Sequence, residues 1–147
     1  MRGLLQRVRR AAVRVAGVEV GAIGSGVLLL VGFAPDDTPA RAEALLDRVL
    51  RYRLFADAEG RMNRSLVDTG GGLLIVSQFT LLADTRKGLR PSFTPAAAPV
   101  QARALYDHLV AAARARHGPV ATGVFGADMQ VELINDGPVT LLLDLPG

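Results

Sequence analysis

Leu73-Leu74-Ile75-Val76-Ser77-Gln78-Phe79-Thr80 decides how this chain folds. Four bulky apolar residues in a row, preceded by Gly70-Gly71-Gly72, read as a strand buried on both faces. The run passes directly into polar residues, so the strand ends where side chains can reach a ligand. Upstream, residues 26–33 form a second continuous apolar run, with β-branched Val27 and Val31 supporting a buried central strand.

Before that run the chain reads as short strands joined by tight turns. Leu4-Leu5-Gln6-Arg7-Val8 leads into residues 11–15, Val18-Glu19-Val20 alternates, and Gly17 and Gly24-Ser25-Gly26 punctuate. Links this short exclude parallel crossovers, which need about a dozen residues or more. Two helices are expected. Thr38 caps the first, Pro39 fits its first position, and Ala42, Leu45, Leu46, Val49 and Leu50 share one face. The second covers residues 100–117, with Pro99 near its start, Gly118-Pro119 at its end and Leu105, Leu109 and Ala112 inward. Asp57-Ala58-Glu59-Gly60 is a turn followed by a polar segment through Asp68. Met129-Gln130-Val131-Glu132-Leu133 and residues 139–143 read as two further strands with Asn135-Asp136-Gly137-Pro138 between them. The expectation is one α/β domain over residues 1–147, with a mixed or antiparallel sheet and two main helices. No Gly-x-Gly-x-x-Gly follows a strand, which disfavours a dinucleotide fold.

Composition narrows the chemistry. The 147 residues are 50% hydrophobic and 21% charged, which suits a folded domain and argues against disorder. There is no cysteine and there are two histidines, so thiolate nucleophiles, sulfur-based metal sites and imidazole-rich metal sites are excluded. No apolar run approaches the roughly 18 residues that span a bilayer, and the N-terminus turns polar too early for a secretory signal. A cytoplasmic location is the default expectation. The net charge of +3 and pI near 10.2 permit an RNA partner; all basic residues but Lys87 are arginines, suited to phosphate contact and base stacking.

Two segments can do chemistry. Ser77-Gln78-Phe79-Thr80 offers two hydroxyls, an amide and backbone N–H groups able to hold an oxyanion; the alternative is a strand end whose polar groups satisfy their neighbours. Asn135-Asp136-Gly137-Pro138 could present carbonyl oxygens to an ammonium group from a rigid Gly-Pro loop, or simply turn between strands. A hydroxyl nucleophile needs a base, and neither His108 nor His117 is placed near Ser77 or Thr80 by spacing. Asp84 and Asp128 form no evident catalytic pair.

Ser77-Gln78-Phe79-Thr80-Leu81, with Ala83-Asp84 and Gly88-Leu89-Arg90-Pro91-Ser92-Phe93, closely resembles the D-aminoacyl-tRNA deacylase family (D-tyrosyl-tRNA(Tyr) deacylase of the bacterial type). Asn135-Asp136-Gly137-Pro138-Val139-Thr140 resembles its second signature. Gln6-Arg7-Val8, Asp57-Ala58-Glu59-Gly60, Met62-Asn63 and Ala127-Asp128-Met129-Gln130-Val131 extend the resemblance over nearly the whole chain.

The resemblance implies a homodimer that hydrolyses the ester of tRNA carrying a D-amino acid or glycine, without a cofactor or metal, in chiral proofreading of translation. Ser77, Gln78, Phe79 and Thr80 would form the catalytic wall. Gly137 and Pro138, joined by a cis peptide, would enter from the partner subunit and reject L-amino acids through their carbonyls. Phe79, Phe125 and Met129 would contribute to a pocket for the terminal adenosine; Arg7, Arg90 and Asn135 complete the expected binding set. In the preferred mechanism the neighbouring ribose hydroxyl assists water, and the N–H groups around Phe79 and Thr80 stabilise the oxyanion. The older alternative makes Thr80 the nucleophile. A noncatalytic RNA-binding protein and a general small-ester or peptide hydrolase are the competing classes.

Overall fold

The computed structural model describes residues 1–145. Strand β1 (Arg2–Val15) runs for 14 residues, longer than the short strands expected, and forms the spine of the sheet. Ala16 and Gly17, both at positive φ, turn it antiparallel into β2 (Val18–Ile23). Gly24-Ser25 then return the chain to the other half of the same β1 edge as β3 (Gly26–Gly32). Residues 11–15 of β1 pair with β2 and residues 2–8 with β3, so one long strand organises two neighbours.

Helix α1 (Pro39–Arg51) begins as its sequence dictates: Thr38 Oγ1 accepts from Arg41 N at 3.3 Å, and the five apolar residues of its inner face are all buried. Strands β4 (Phe55–Ala56) and β5 (Met62–Arg64) make a small hairpin around Asp57. The Asp57 carboxylate accepts from the N–H groups of Glu59 and Arg61, both at 2.9 Å, and from Asn63 Nδ2 at 2.7 Å. These bonds, led by that from Asn63, hold its carboxyl below the usual range.

The polar segment after it contains a helix the sequence reading did not assign, α2 (Leu66–Thr69). Its signature was present: Ser65 and Asp68 form a reciprocal capping box, and Gly70 closes the turn in the left-handed region. Strand β6 (Gly72–Ser77) runs parallel to β3, and a 3-10 turn over Phe79–Leu82 follows. Helix α3 (Pro99–Arg116) leads to β7 (Val120–Thr122), a short strand parallel to β6 that was also unassigned. The sheet is thus mixed. Among the described residues, two long α-helices and one short one accompany it.

Strand β8 (Gln130–Asp144) corrects a second expectation. Residues 135–138 do not turn between two strands; both flanks pair antiparallel with β1 in one 15-residue strand. The register jumps from Gln6↔Thr140 to Val8↔Asn135, so Arg7 alone spans the four residues Asp136–Val139. The motif is a wide bulge standing out from an edge strand. β1 is long enough to pair on both sides of it, which local sequence could not reveal.

Both faces of β3 and β6 are buried, as their unbroken apolar runs require. Leu29 and Ile75 join the cluster under α1 and α3 with Leu45, Leu46 and Leu109. Leu28 and Leu74 face the other way, against Val8, Val13 and Ile23. Each such side chain contributes about 1.5–3 kcal/mol by leaving water. The sheet curls so that β2 meets β7: a Cβ on Gly21 would lie 2.2 Å from the Thr122 carbonyl oxygen.

Candidate active site

Parallel pairing of β6 with β7 sets the site. Leu73 lies beside Val120 and Ile75 beside Thr122, so both chains leave the sheet at the same end, and Gly123 N donates to Ile75 O at 3.1 Å. Ser77–Thr80 and the Gly123–Phe125 loop therefore emerge side by side at strand carboxyl ends, where sheets of this kind gather ligand groups.

Ser77 and Gln78 are half-buried, Phe79 and Thr80 exposed. Gln78 N donates to Val31 O at 2.7 Å, tying the segment to β3. The Gln78 side-chain amide donates to Thr80 Oγ1. The first bond of the 3-10 turn is donated by Leu81 N to Gln78 O at 3.2 Å; Ala83 N to Thr80 O follows at 3.1 Å. The N–H groups of Phe79 and Thr80 precede the first donor of the turn and have no acceptor within it. Two backbone dipoles at an exposed turn can stabilise a developing oxyanion.

Gly32 lets this turn close down, a role the sequence reading missed. A Cβ there would sit 2.7 Å from the Gln78 carbonyl oxygen and 2.4 Å from Leu82 Cδ2. Arg2 Nη1 adds a bond to Leu81 O at 3.0 Å.

The aromatic residues divide. Phe79 packs edge-on against Phe93 with ring centroids 5.1 Å apart. Phe125 leans on Tyr106 at 5.8 Å, with the Arg103 guanidinium 6.0 Å from its ring centre, and borders a cleft of about 410 Å³ between α3 and the Gly123–Phe125 loop. Neither Phe79 nor Met129 lines that cleft. Met129 packs beneath the loop, its sulfur accepting from Val124 N at 3.4 Å.

The Gly-Pro bulge is held from within. Arg7 Nε donates to Asp136 O at 2.8 Å and Arg7 Nη1 to Leu54 O. Asn135 spans the bulge base: its Oδ1 accepts from Val139 N at 2.7 Å, while Nδ2 donates to Thr140 Oγ1 at 2.9 Å and Val139 O at 3.2 Å. Gly137 and Pro138, joined by a cis peptide, remain exposed. Arg7 and Asn135 thus support the loop. Arg90 is exposed in the loop pinned by the Asp84–Ser92 pair, at 2.7 and 3.0 Å.

Within one chain the two signature motifs lie apart. Arg7, opposite the bulge, pairs with Val27, which pairs with Leu73 at the far end of β6 from Ser77. That is three strand spacings, about 14 Å across the sheet, and four residues, about 13 Å, along it.

A family model described as D-Tyr-tRNA(Tyr) deacylase matches residues 4–144. The chain belongs to that deacylase family. Deacylation of an ester is hydrolysis, so membership makes the chain a hydrolase. It is 64% identical over 146 residues to the D-aminoacyl-tRNA deacylase of Thioalkalivibrio sulfidiphilus, covering 99% of this chain and 98% of that one. It is 62% identical over 143 residues to the D-aminoacyl-tRNA deacylase of Pseudomonas fluorescens, covering 97% and 99%. A solved structure named c-Myc DNA Unwinding Element Binding Protein superposes with a TM-score of 0.95 at 38% identity over all of both chains. A probable eukaryotic D-amino acid tRNA deacylase shares the fold, with a TM-score of 0.85 at 20% identity over 98% of each chain.

This deacylase-family chain brings no imidazole to Thr80. His117 Nε2 bonds Gly71 O at 2.7 Å, at the opposite end of β6 and about 20 Å away by strand length. His108 Nε2 meets Glu43 Oε1 at 2.7 Å on the helical side. Asp84 is near Thr80 in sequence, but hydrogen bonds from the Arg86 side chain and backbone lower its carboxyl to about 2, too weak a base to activate a hydroxyl at neutral pH.

Proposed function

We propose that the chain works as a homodimer that hydrolyses D-aminoacyl-tRNA, and glycyl-tRNA by the same route, with rejection of L-amino acids by backbone atoms. The observation that carries this reading is the pair of N–H groups at Phe79 and Thr80, without a hydrogen-bond partner among the described residues, while both imidazoles are bonded elsewhere.

Water attacks the ester carbonyl carbon, assisted by the neighbouring ribose hydroxyl, and the oxyanion forms against those two N–H groups. Collapse breaks the bond from the carbonyl carbon to the ribose oxygen. The ribose oxygen regains a proton, and free amino acid and tRNA leave. Gln78 positions the substrate, and the terminal adenosine lies toward Phe125, with Met129 shaping its loop from below and Phe79 the opposite wall. Arg90 lies on the RNA side.

Gly137 and Pro138 come from the partner subunit. Their separation from Ser77–Thr80 within one chain supports this, as does a rigidly braced loop left exposed on an edge strand. Their carbonyls accept bonds from the substrate ammonium group and fill the space an L-side chain would need; glycine, lacking one, enters. Such activity belongs in the cytoplasm, as chiral proofreading of translation.

The test is multiple-turnover release of D-tyrosine and L-tyrosine from matched aminoacyl-tRNAs. Strong preference for the D ester supports the reading, and cleavage of neither sinks it. The name carried by the 38% identical solved structure favours a second reading, nucleic-acid binding without catalysis. Stable binding with no turnover would put that reading first.

A further inference from the structure

A second cleft, of about 440 Å³, lies where the C-terminal ends of α1 and α3 meet α2. Arg51, Arg53 and Arg116 line it with Leu50, Ser65, Val67 and Asp68. None of these residues belongs to the motifs read above.

Its positive charge is only partly neutralised. Asp47 accepts from Arg51 Nη1 at 3.3 Å and from Arg116 Nη2 at 3.0 Å, so one carboxylate is shared by two guanidinium groups. The Asp68 carboxylate is engaged by the Ser65 N–H at 2.8 Å, and Arg64 Nη2 donates to the Asp68 carbonyl oxygen at 3.2 Å. Arg53 is exposed and forms no ion pair among the described residues. Three lining arginines stand against the carboxylates of Asp68 and Asp47. The excess is positive, and guanidinium forks match phosphate oxygens.

The position of the cleft is as informative as its charge. Arg53 directly precedes Leu54, whose carbonyl oxygen accepts from Arg7, the residue that clamps the Gly137-Pro138 bulge. Arg116 directly precedes His117, bonded to Gly71 at the same end of β6. The arginine cleft and the bulge therefore share one end of the molecule, opposite Ser77–Thr80 of the same chain.

We infer that this cleft grips the phosphodiester backbone of the substrate RNA, so that the subunit lending the Gly-Pro bulge also lends the phosphate contacts. The inference rests on the deacylase reading for the identity of its RNA. It makes Arg51, Arg53 and Arg116 binding residues that act on the body of the tRNA and leave the ester chemistry alone.

The experiment compares wild type with Arg51→Ala/Arg53→Ala on two substrates, D-tyrosyl-tRNA and the D-tyrosyl ester of adenosine alone, over a salt series. KM for the tRNA should rise about tenfold, and the slope of log KM against log salt should flatten by about 1 per arginine removed. Turnover at saturation and cleavage of the short ester should stay unchanged. An unaltered KM and salt slope, or an equal loss on the short ester, overturns the inference. Should wild type cleave neither ester, the deacylase reading fails, and filter binding of uncharged tRNA then decides: weaker, less salt-sensitive binding by the variant upholds the arginine cleft, and equal binding overturns it.

Discussion

Arg7 and Asp136 are 129 residues apart, yet Arg7 Nε donates to the Asp136 carbonyl oxygen at 2.8 Å, while the same guanidinium reaches the Leu54 carbonyl oxygen. One planar fork thereby fixes the bulge on β8 to the chain leaving α1. Lysine has one donor nitrogen on a flexible stem in place of the separate Nε and Nη1 that reach these acceptors. Arg7→Lys should retain the fold but free the bulge. The expected outcome is stability lowered by about 1–3 kcal/mol in urea unfolding and a smaller ratio of D to L ester cleavage. An unchanged ratio in a folded protein would remove Arg7 from chiral selection.

Thr80→Ala should stay close to wild-type turnover, because neither histidine reaches that hydroxyl and the Asp84 carboxylate is too weak a base to activate it. Losing an essential nucleophile costs about a million-fold in a triad hydrolase, so the two mechanisms differ by far more than any assay error. The companion measurement uses tRNA whose terminal ribose lacks the neighbouring hydroxyl; cleavage there at the normal rate would reject RNA assistance.

Gly32→Ala tests how finely the 3-10 turn must be set. Its new methyl would fall 2.7 Å from the Gln78 carbonyl oxygen, pushing the Phe79 and Thr80 N–H groups from place. A displacement approaching 1 Å costs on the order of 100-fold in rate. We expect kcat to fall by about 10–100-fold while circular dichroism stays native; a native protein with full kcat would show that the turn tolerates displacement.

Tyr106 carries a pH prediction. Its hydroxyl donates to Ile75 O at 2.8 Å in the core, and burial, reinforced by Asp107, pushes its pKa up to about 12 from 10.0. The folded state favours the protonated phenol. Its stabilisation is therefore full below pH 10, declines as pH rises, and is lost by about pH 12, a swing on the order of 2–3 kcal/mol. Tyr106→Phe should be less stable at pH 7 by about 1–3 kcal/mol, since Ile75 O loses its side-chain donor. The gap to wild type should narrow between pH 10 and 12 in denaturant titrations. A constant gap would contradict the assignment.

Asp37 sits fully buried against the Met1 ammonium at 2.9 Å, and it also accepts from Ala34 N at 2.7 Å and Arg41 Nη1 at 3.3 Å. Removing one partner of a buried pair strands the other. Asp37→Ala should cost about 3–5 kcal/mol, read as a lowered Tm; a loss under 1 kcal/mol would mean water reaches the ammonium.

Sequence by itself determined the elements whose cause is local. The apolar runs at residues 26–33 and 73–76 read as buried strands because they are short, contain β-branched residues and follow glycines. Thr38-Pro39 began a helix because a hydroxyl cap and a fixed φ act within one turn. Ser65-Leu66-Val67-Asp68 was equally local, a capping box overlooked among polar neighbours. The order of the signature motifs placed the chain in its family. Tertiary structure alone decided the rest. Residues 135–138 became a bulge instead of a turn because β1 continues past them on the far side of the chain. Arg7 and Asn135 became braces of that bulge, Gly32 the floor of the 3-10 turn, and Arg53 a co-lining residue with Arg116. Arg7, Gly32 and Arg53 depend on partners tens of residues away or more, and Asn135 braces a bulge that exists only because both its flanks pair with β1; such pairings are set by sheet register and helix packing, which no local pattern encodes.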